Sequence, residues 1–598
     1  MLRSACLPCY MALIGVTNFS PGKFIANVTG HWRHKLPRPG VLSAILLWVV
    51  FGSYVAHWVR MHAGFLFMPA LQNDDVRTAV FPFHRYGLNP WLANDPIARE
   101  MMAYVTPGLW VLYRCLVPIT DIFVASKCVQ GLALGVLFLA GWVLLRSRRA
   151  GLAAGLLLVF LVLSDSYAVG RIAGGHARSF GFPCFALWVA GVLSKSRWAR
   201  ITAPLIGALF YPAVMLMILA AEGFYSLRDL LRWRLTLRRL RRYALVVAAC
   251  GACCLPSVIG ADTTRGPIHT LEQAARDPAF YGGGRLWVLP LGNPADQLMS
   301  AFLARFSASG ICLFGGKAPV LLSCSIGVAL FVATLFIVFR WLGWASISPS
   351  VVSFLLGSVT LYFAARGFAF RLYSTERYYA YGMRMTACLL LVAVAWQFMA
   401  NKRRLRFAAS NILAATVILL QWSCLGDGII RNNGMTLDAH WDADLYGFIR
   451  SLPLTVRFAS HPMDGDGIPY YGARATVGSF ETLQPWFVDS WKRQKVREYA
   501  TLDAFYSPNF ADIVAYGKAY SVTHLLVNRD RYGNDYVQHV SSFEPFTSYS
   551  SRLVNQPNRD APALTHIPSS AIVFERPPWV ILDLEKLGKL ATLPDHRN

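Results

Sequence analysis

Apolar stretches long enough to cross a lipid bilayer recur between residues 41 and 424, and none follows Leu425. A membrane-spanning helix needs about 20 mainly apolar residues. Only 15% of the 598 residues are charged, and the mean hydropathy is +0.41. Soluble proteins of this length rarely have such a composition. The sequence therefore predicts a polytopic α-helical membrane protein of about ten spans, with a C-terminal extracytoplasmic α/β domain.

The positive charge of the chain is unevenly distributed. The net charge is +25, but residues 425–598 hold 17 Lys+Arg and 19 Asp+Glu, so the excess lies entirely before them. A strongly basic chain usually suggests nucleic acid as a partner. Here the basic residues lie in short stretches beside apolar spans, as they do in cytoplasmic loops of membrane proteins. We therefore exclude nucleic-acid binding and expect the lipid bilayer as the partner surface.

The basic flanks also predict which side of the membrane each segment faces. Arg33, Lys35 and Arg38 precede the first span, which indicates that the N-terminus is inside. The predicted parts are a cytoplasmic N-terminal tail at 1–38, a transmembrane domain at 39–424 with an outer loop at 59–125, and an extracytoplasmic domain at 425–598. No sequence feature predicts an oligomeric state.

One apolar stretch does not fit a simple crossing. The predicted spans are residues 41–58, 126–145, 152–169, 182–193, 243–260, 319–339, 351–365, 385–400 and 407–424. The additional stretch 201–225 contains Pro204 and Pro212, and both of its ends are basic. It predicts one of two structures. The first is two half-helices that meet at Phe210-Tyr211-Pro212 and form a re-entrant pair, and the second is a short membrane crossing whose ends differ from residues 201 and 225.

Two further regions have recognisable patterns. Residues 96–116, which begin in the first outer loop, mix apolar and aromatic residues and predict an amphipathic helix along the membrane interface. The C-terminal domain alternates helical and strand patterns, which favours layered α/β packing. Its predicted helices are 446–452 and 489–505. Its predicted strands are 455–460, 522–527, into which residues 511–520 run, 571–575 and 579–584.

An acidic pair, Asp74-Asp75, lies in the first outer loop. Carboxylates held at the membrane edge are costly and are often functional. Crowding of two carboxylates near a low dielectric raises the proton affinity of at least one, and this helps it to accept a proton from an alcohol. The alternative is a solvated loop in which one aspartate caps a helix.

Outer-face cations form a second group of candidates. Arg171, His176 and Arg178 lie between two predicted spans, in a loop whose Gly-Gly pair would let the backbone approach a ligand. Arginines 366, 371, 377 and 384 lie in a later outer turn. Guanidinium groups bind phosphate through a planar fork of donors. The alternative is that single arginines extend toward ordinary phospholipid headgroups.

Some sites are not indicated. The sequence has no HxxxH or HExxH motif, so it does not predict a dedicated zinc site. The turn Gly282-Gly283-Gly284 lacks the GK[ST] ending of a nucleotide-binding loop. Asp165, near the outer end of a predicted span, is expected to pair with Arg171 as a structural ion pair.

Together these features resemble the GT-C superfamily of integral membrane glycosyltransferases. The matching features are Asp74-Asp75, the segment 96–116, the domain after Leu425, and the stretches GGHARSFGFP at 174–183 and RLYSTERY at 371–378. The stretches also look like bacterial proteins of this type. No tryptophan-rich sequon-reading motif of oligosaccharyltransferases is present.

The resemblance implies a function and a location. It implies inverting transfer of a sugar from a polyprenyl-phosphate carrier to an envelope acceptor, on the outer face of a bacterial inner membrane. Asp74 would be the base and Asp75 its supporting neighbour, or the reverse. Arg178 and Arg377, with Arg171, His176 and Arg371, would bind the leaving phosphate. Some members use a divalent cation such as Mg or Mn at the acidic pair and others do not, so the metal stays open.

Two other classes remain open on the sequence. One is a non-catalytic membrane component that binds lipid-linked glycan during polysaccharide assembly or export. The other is a secondary transporter, which the broken stretch at 201–225 favours and the large outer domain disfavours.

Overall fold

A computed structural model describes residues 38–68, 71–72, 74–147, 152–231, 236–313, 349–372, 374–400, 404–424, 442–532, 542–555 and 560–591. The predicted span at 319–339 and almost all of the predicted N-terminal tail lie outside these residues. Of Asp74, only the backbone is described.

The described residues before residue 425 are mainly helical. The first twelve helices are α1 (Arg38–Met61), α2 (Ala63–Phe67), α3 (Asp74–Val80), α4 (Pro96–Met102), α5 (Pro107–Leu116), α6 (Ile122–Leu145), α7 (Leu152–Leu163), α8 (Ser166–Ile172), α9 (Gly181–Ser194), α10 (Arg197–Phe210), α11 (Pro212–Leu231) and α12 (Leu237–Arg265). The next five are α13 (Leu271–Ala275), α14 (Pro294–Leu313), α15 (Pro349–Gly367), α16 (Glu376–Ala400) and α17 (Arg404–Cys424).

The described helices fit a multi-pass membrane protein, but with fewer clear spans than predicted. Four are long and apolar enough to cross a bilayer: Gly40–Met61, Ile122–Leu145, Ala177–Ser194 and Pro349–Gly367. A fifth is obtained if α7 and α8, bent by 79° at Ser164–Asp165, are counted as one span. The predicted number of about ten is thus not reached in the described residues. Shorter apolar helices, Pro212–Leu227 and Ala408–Leu419, occupy two of the other predicted positions.

The predicted break at Tyr211 is confirmed. Helix α10 ends at Phe210 and α11 begins at Pro212. A Cβ atom on Gly207 would lie 3.0 Å from Met215 N, whereas residues eight apart in one continuous helix are separated by about 12 Å. Near the other ends of the two helices, Arg200 forms an ion pair with Glu222. The two helices therefore fold back on each other as a hairpin whose tip is Tyr211.

Two predictions about helices are corrected. The span predicted at 152–169 is bent, because Asp165 starts a new helix by accepting a hydrogen bond from Ala168 N (3.1 Å). The segment between the predicted spans at 243–260 and 319–339, for which no helix was predicted, contains the 20-residue helix α14. Its polar residues, such as Asp296, Gln297 and Arg305, dilute the apolar pattern that would have indicated it.

The C-terminal domain is α/β, as predicted. Its elements are α18 (Ala443–Ser451), β1 (Arg457–Ser460), α19 (Gly467–Tyr471), β2 (Ala475–Thr476), α20 (Val488–Phe505), α21 (Phe510–Tyr520), β3 (His524–Asn528), α22 (Phe546–Val554), β4 (Ile572–Arg576), β5 (Trp579–Asp583) and α23 (Leu584–Ala591). The strand order is β2-β1-β3-β5-β4, with β1 parallel to β2 and β3, and β5 antiparallel to β3 and β4. Four of the five residues in both β3 and β5 are buried, as expected where both faces of a sheet are covered.

The first outer loop packs against this domain. Asn89 donates its side-chain amide to Ala473 O (2.8 Å), and Arg457 lies 2.9 Å from the Asp95 carboxylate. The predicted interface helix at 96–116 is therefore corrected in two ways. It is divided into α4 and α5 because Pro107 starts a second helix. Its first half contacts protein, since the buried carboxylate of Glu100 lies 3.1 Å from Arg493 of α20.

Candidate active site

Asp75 lies at the centre of a cluster of polar side chains on the edge of the helical region. It belongs to the first turn of α3, and its side chain is 28% exposed. It can therefore be reached from solvent while most of its surface faces protein. Asp74 is the first residue of α3, and its side chain lies outside the described part of the chain.

Three side chains from the segment between α8 and α9 surround the Asp75 carboxylate. Arg178 Nη1 lies 2.6 Å from Asp75 Oδ2 and Arg171 Nη1 lies 3.7 Å from the same oxygen. The Nε2 atom of the buried His176 is 4.0 Å away. The structure therefore brings together four of the residues predicted for the site, although Asp75 is about a hundred residues from the other three in the sequence.

The charge balance around Asp75 decides its ionisation. Burial alone would raise the pKa of Asp75, but Arg178, His176 and Arg171 together hold it below its ordinary value. The increase in proton affinity that was expected for at least one aspartate of the pair is therefore not found at Asp75, and the side chain of Asp74 lies outside the described residues. Burial, reinforced by Arg178 and Arg171 and opposed by Asp75, lowers the pKa of His176 to about 3. His176 is thus a neutral ring at neutral pH and not a cation.

The two glycines before His176 have a different role from the one predicted. Gly174 and Gly175 both have positive φ angles, which glycine adopts easily. A Cβ atom on Gly175 would lie 2.0 Å from the carbonyl oxygen of Ser126 in α6, and Tyr113 donates to Gly175 O at 2.7 Å. The loop therefore allows close contact with a neighbouring helix, and this contact fixes the positions of His176 and Arg178.

Helix α16 contributes a second part of the site. Glu376, its first residue, lies 3.5 Å from Arg171 Nη2 and accepts a hydrogen bond from the Tyr167 hydroxyl (3.2 Å). Arg377 places its guanidinium 5.7 Å from the centre of the Tyr211 ring, at the tip of the hairpin. Arg371 is exposed and precedes the helix. Among the described residues, no contact joins its side chain to the Asp75 group.

The remaining arginines of this region have structural partners. Asp165 was predicted to pair with Arg171. The structure instead places Arg384 3.2 Å from the Asp165 carboxylate. Arg366 donates to Gly292 O at 2.8 Å.

The sequence did not indicate several residues near the site. Tyr167, Tyr211, Tyr381 and Glu376 come from three separate helical regions, and Arg285 comes from the glycine-rich turn. Arg285 lowers the pKa of Asp75 and lies 2.7 Å from Glu481 in the C-terminal domain. The one signal for Arg285 in the sequence is its position directly after the three consecutive glycines.

The described residues do not fit a divalent cation at Asp75. Its carboxylate already pairs with Arg178 and has Arg171 beside it, and a second positive charge would be repelled there. In the part of the chain that the structure describes, no three His, Cys, Asp or Glu side chains form a group that could hold a metal ion.

The fold and this cluster define a membrane-embedded helical protein whose acidic and arginine-rich site lies near a docked α/β domain. Neither a family model nor a curated protein matches the sequence.

Some solved structures do resemble the chain. The oligosaccharyltransferase of Archaeoglobus fulgidus, in a complex with Zn and sulfate, has 12% identity and a TM-score of 0.43 over 86% of this chain and 70% of that one. ArnT from Cupriavidus metallidurans, bound to undecaprenyl phosphate, has 15% identity and a TM-score of 0.37 over 89% of this chain and 98% of that one.

Proposed function

We propose that this protein catalyses inverting transfer of a sugar from a polyprenyl-phosphate carrier to an envelope acceptor. The observation that carries the proposal is the position of Asp75 within 4.0 Å of Arg178, Arg171 and His176. A carboxylate beside two guanidinium groups offers a base for the acceptor and a positive site for a departing phosphate.

The reaction would require one base and one anion site. The acceptor oxygen or nitrogen forms a bond to the anomeric carbon of the sugar and gives its proton to a carboxylate, either Asp75 or Asp74. The bond between that carbon and the phosphate oxygen breaks on the opposite side, and the electron pair leaves with the polyprenyl phosphate. A phosphate is a good leaving group and needs no second carboxylic acid to protonate it, in contrast to the sugar oxygen in glycosidases.

The Asp75–Arg178 ion pair suggests how binding and proton transfer are coupled. While Arg178 stays on Asp75, that carboxylate binds a proton poorly. The phosphodiester of the donor carries one negative charge, as a carboxylate does, and gains a second as the sugar departs; guanidinium groups bind its oxygens through two parallel hydrogen bonds. Transfer of Arg178 to the phosphate would leave Asp75 with less positive charge nearby, and its proton affinity would rise. Asp75 would then become an effective base only when the donor is bound.

We further propose that the site faces the outside of a bacterial inner membrane, with the N-terminus inside, about ten crossings and the 425–598 domain outside. The basic flanks of the apolar segments support this orientation. Cysteine substitutions at exposed positions of the outer loop, such as W91C, should react with a membrane-impermeant thiol reagent in intact spheroplasts. Labelling only after membrane rupture would contradict the proposed orientation.

The experiment that tests the function compares D74N and D75N with wild type in cells that lack the chromosomal copy. Both lipid-linked sugars and envelope glycans are measured by mass spectrometry at matched protein levels. We expect at least one of the two variants to lose the transferred product and accumulate the lipid-linked donor. E272Q, which alters an exposed ion pair with Arg276, is the matched control and should behave as wild type. Unchanged products in both aspartate variants would exclude the enzymatic function.

A non-catalytic role is the second candidate, and one observation favours it. The two guanidinium groups beside Asp75, those of Arg178 and Arg171, suit a binding site for an anionic glycan lipid as well as they suit a site for a leaving phosphate. On this alternative, D74N and D75N would leave all glycan products intact, and R178Q would reduce the amount of lipid-linked glycan that co-purifies with the protein.

A further inference from the structure

The tip of the α10–α11 hairpin is attached to the outer loop. Thr106 donates its hydroxyl to Phe210 O at 3.1 Å. A Cβ atom on Gly108 would lie 2.9 Å from Leu209 O, so α5 and the hairpin are in close backbone contact. The tip residue, Tyr211, is therefore held at the level of the loop that carries Asp75.

Two buried tyrosines lie close together at this tip. Tyr211 is 3% exposed and Tyr381 of α16 is 1% exposed, and their ring centres are 5.7 Å apart. Neither hydroxyl has a hydrogen-bond partner among the described residues. Buried polar groups are nearly always paired, and leaving one unpaired costs stability. Two unpaired hydroxyls on rings this close together therefore indicate a position for a ligand with acceptor atoms.

Two neighbouring tyrosines differ from this pair, because their hydroxyls have partners in the protein. The Tyr378 hydroxyl donates to Leu372 O at 2.9 Å, and the Tyr167 hydroxyl donates to Glu376. These two residues lie in the same aromatic region but have protein partners. Packing alone therefore does not prevent a tyrosine hydroxyl from being satisfied here.

Two arginines lie near this pair of tyrosine rings. The Arg377 guanidinium is 5.7 Å from the Tyr211 ring centre, and Arg178 interacts electrostatically with both Tyr211 and Tyr381. A ligand that met these groups would face two guanidinium forks and two hydroxyl donors. A carboxylate has two oxygens, whereas a terminal phosphate offers three and carries more charge. The donor set thus fits a phosphate better.

We propose that the hydroxyls of Tyr211 and Tyr381 donate hydrogen bonds to the phosphate of a polyprenyl phosphate whose charge is neutralised by Arg178 and Arg377. This rests on the proposed function and adds to it two binding residues, one of them delivered by the tip of the broken helix. It also assigns a role to the break between α10 and α11, because a continuous helix through residue 211 would not place the Tyr211 side chain beside the outer loop.

The test measures binding of a short-chain polyprenyl phosphate to the full-length protein in detergent micelles. Y211F and Y381F retain the ring and remove only the hydroxyl. A hydrogen bond to a charged group corresponds to about a tenfold or greater change in affinity, so each variant should bind at least about tenfold more weakly. Y378F is the matched control, because its hydroxyl already has a backbone partner, and it should bind as wild type. Thermal unfolding of all variants checks that they remain folded.

Two competitors separate the sources of phosphate. Inorganic phosphate and the unphosphorylated polyprenol are each tested for displacement of the labelled lipid. Displacement by inorganic phosphate that weakens in Y211F and Y381F supports the site, whereas displacement by polyprenol alone contradicts it. If the two variants bind inorganic phosphate more weakly but bind the polyprenyl phosphate as wild type does, the assignment of the site to the lipid is overturned.

The outcome is distinguishable from a failure of the proposed function. Wild-type affinity in folded Y211F and Y381F overturns this inference even if D75N abolishes sugar transfer. Reduced affinity in both variants supports it even if the wild-type protein transfers no sugar, in which case the enzymatic proposal alone fails.

Discussion

The Arg178 guanidinium lies 2.6 Å from the Asp75 carboxylate and joins the turn before α9 to the first turn of α3. This single contact links the acidic residue that resembles a transferase base to the arginine expected to hold a phosphate. Because the two groups pair with each other, Arg178 must move away from Asp75 before this nitrogen of its guanidinium can bind a phosphate and before this oxygen of Asp75 can accept a proton. The behaviour of the site should therefore depend on which partner Arg178 has.

The first prediction concerns pH. The pKa of Asp75 is held below its ordinary value of 3.8, so the carboxylate stays ionised as pH falls toward that value. If Asp75 is the base, kcat/KM should be constant from about pH 8 to about pH 5 and should fall only at lower pH. An acid limb with a midpoint near pH 6 or 7 in the wild-type enzyme would contradict the assignment of Asp75.

The second prediction is a shift of that acid limb. R178Q removes the nearest positive charge, so burial is opposed less strongly and the pKa of Asp75 rises. The acid limb of kcat/KM should therefore move to higher pH. R171Q should move it less, because Arg171 is 3.7 Å from the same oxygen. Equal shifts in the two variants would show that distance to Asp75 does not control its ionisation.

The third prediction concerns Gly175. Its φ angle is +71°, and an added Cβ atom would lie 2.0 Å from Ser126 O. G175A should therefore cost about 4 kcal/mol or more and lower the thermal unfolding midpoint sharply, because both backbone strain and a clash with backbone must be relieved.

Gly283 provides the matched control. Its φ angle is +86°, but the nearest atom to an added Cβ is the flexible Glu544 Cγ at 3.9 Å. G283A should cost only about 1 kcal/mol, which is the strain of a left-handed conformation without the clash. Similar losses in the two variants would show that the contact between the glycine loop and α6 is unimportant.

The sequence predicted local structure better than it predicted contacts. The helix expected at 489–505 is Val488–Phe505, and the strand expected at 579–584 is Trp579–Asp583. These elements follow from residue patterns within one segment. The pairing of Asp165 with Arg384, 219 residues away, depends on how α8 and α16 pack, and no local pattern contains that information. For the same reason, the sequence did not indicate Tyr211 and Tyr381 as residues of the site.

The fourth prediction concerns the docking of the outer loop on the C-terminal domain. Glu100 is 5% exposed and accepts hydrogen bonds from Arg493 at 3.1 Å and from Gln494 at 3.1 Å. Arg493 is half-exposed, but Arg497, which lies 3.5 Å from the same carboxylate, is mostly buried and would lose its compensating charge. E100A should therefore destabilise the protein by about 2 kcal/mol. The measurement is the thermal unfolding midpoint together with the rate of protease cleavage between α4 and α5.

A surface ion pair provides the comparison for E100A. Glu272 and Arg276 are more than three-quarters exposed, so E272A should cost less than about 0.5 kcal/mol. A loss for E100A no larger than this would mean that the loop does not depend on Glu100 for docking.

The last prediction concerns Glu498, which is 2% exposed on α20. Burial raises the pKa of Glu498 from 4.5 to about 8, and the nearby Arg497 opposes this only partly. The folded protein therefore keeps this group protonated at neutral pH, whereas the unfolded chain ionises it above about pH 4.5. Because the folded pKa is the higher one, the stabilising contribution is complete below about pH 4.5 and is lost as pH rises toward 8.

The variant E498Q replaces the neutral acid by a neutral amide of the same shape. Its unfolding free energy should be nearly independent of pH between 5 and 8, while that of the wild type falls by on the order of a few kcal/mol over the same range. E575Q, at an exposed carboxylate paired with Arg529, should keep the wild-type pH dependence. If E498Q loses stability with rising pH as steeply as the wild type does, then Glu498 is already ionised in the folded protein at neutral pH, and another group carries the dependence.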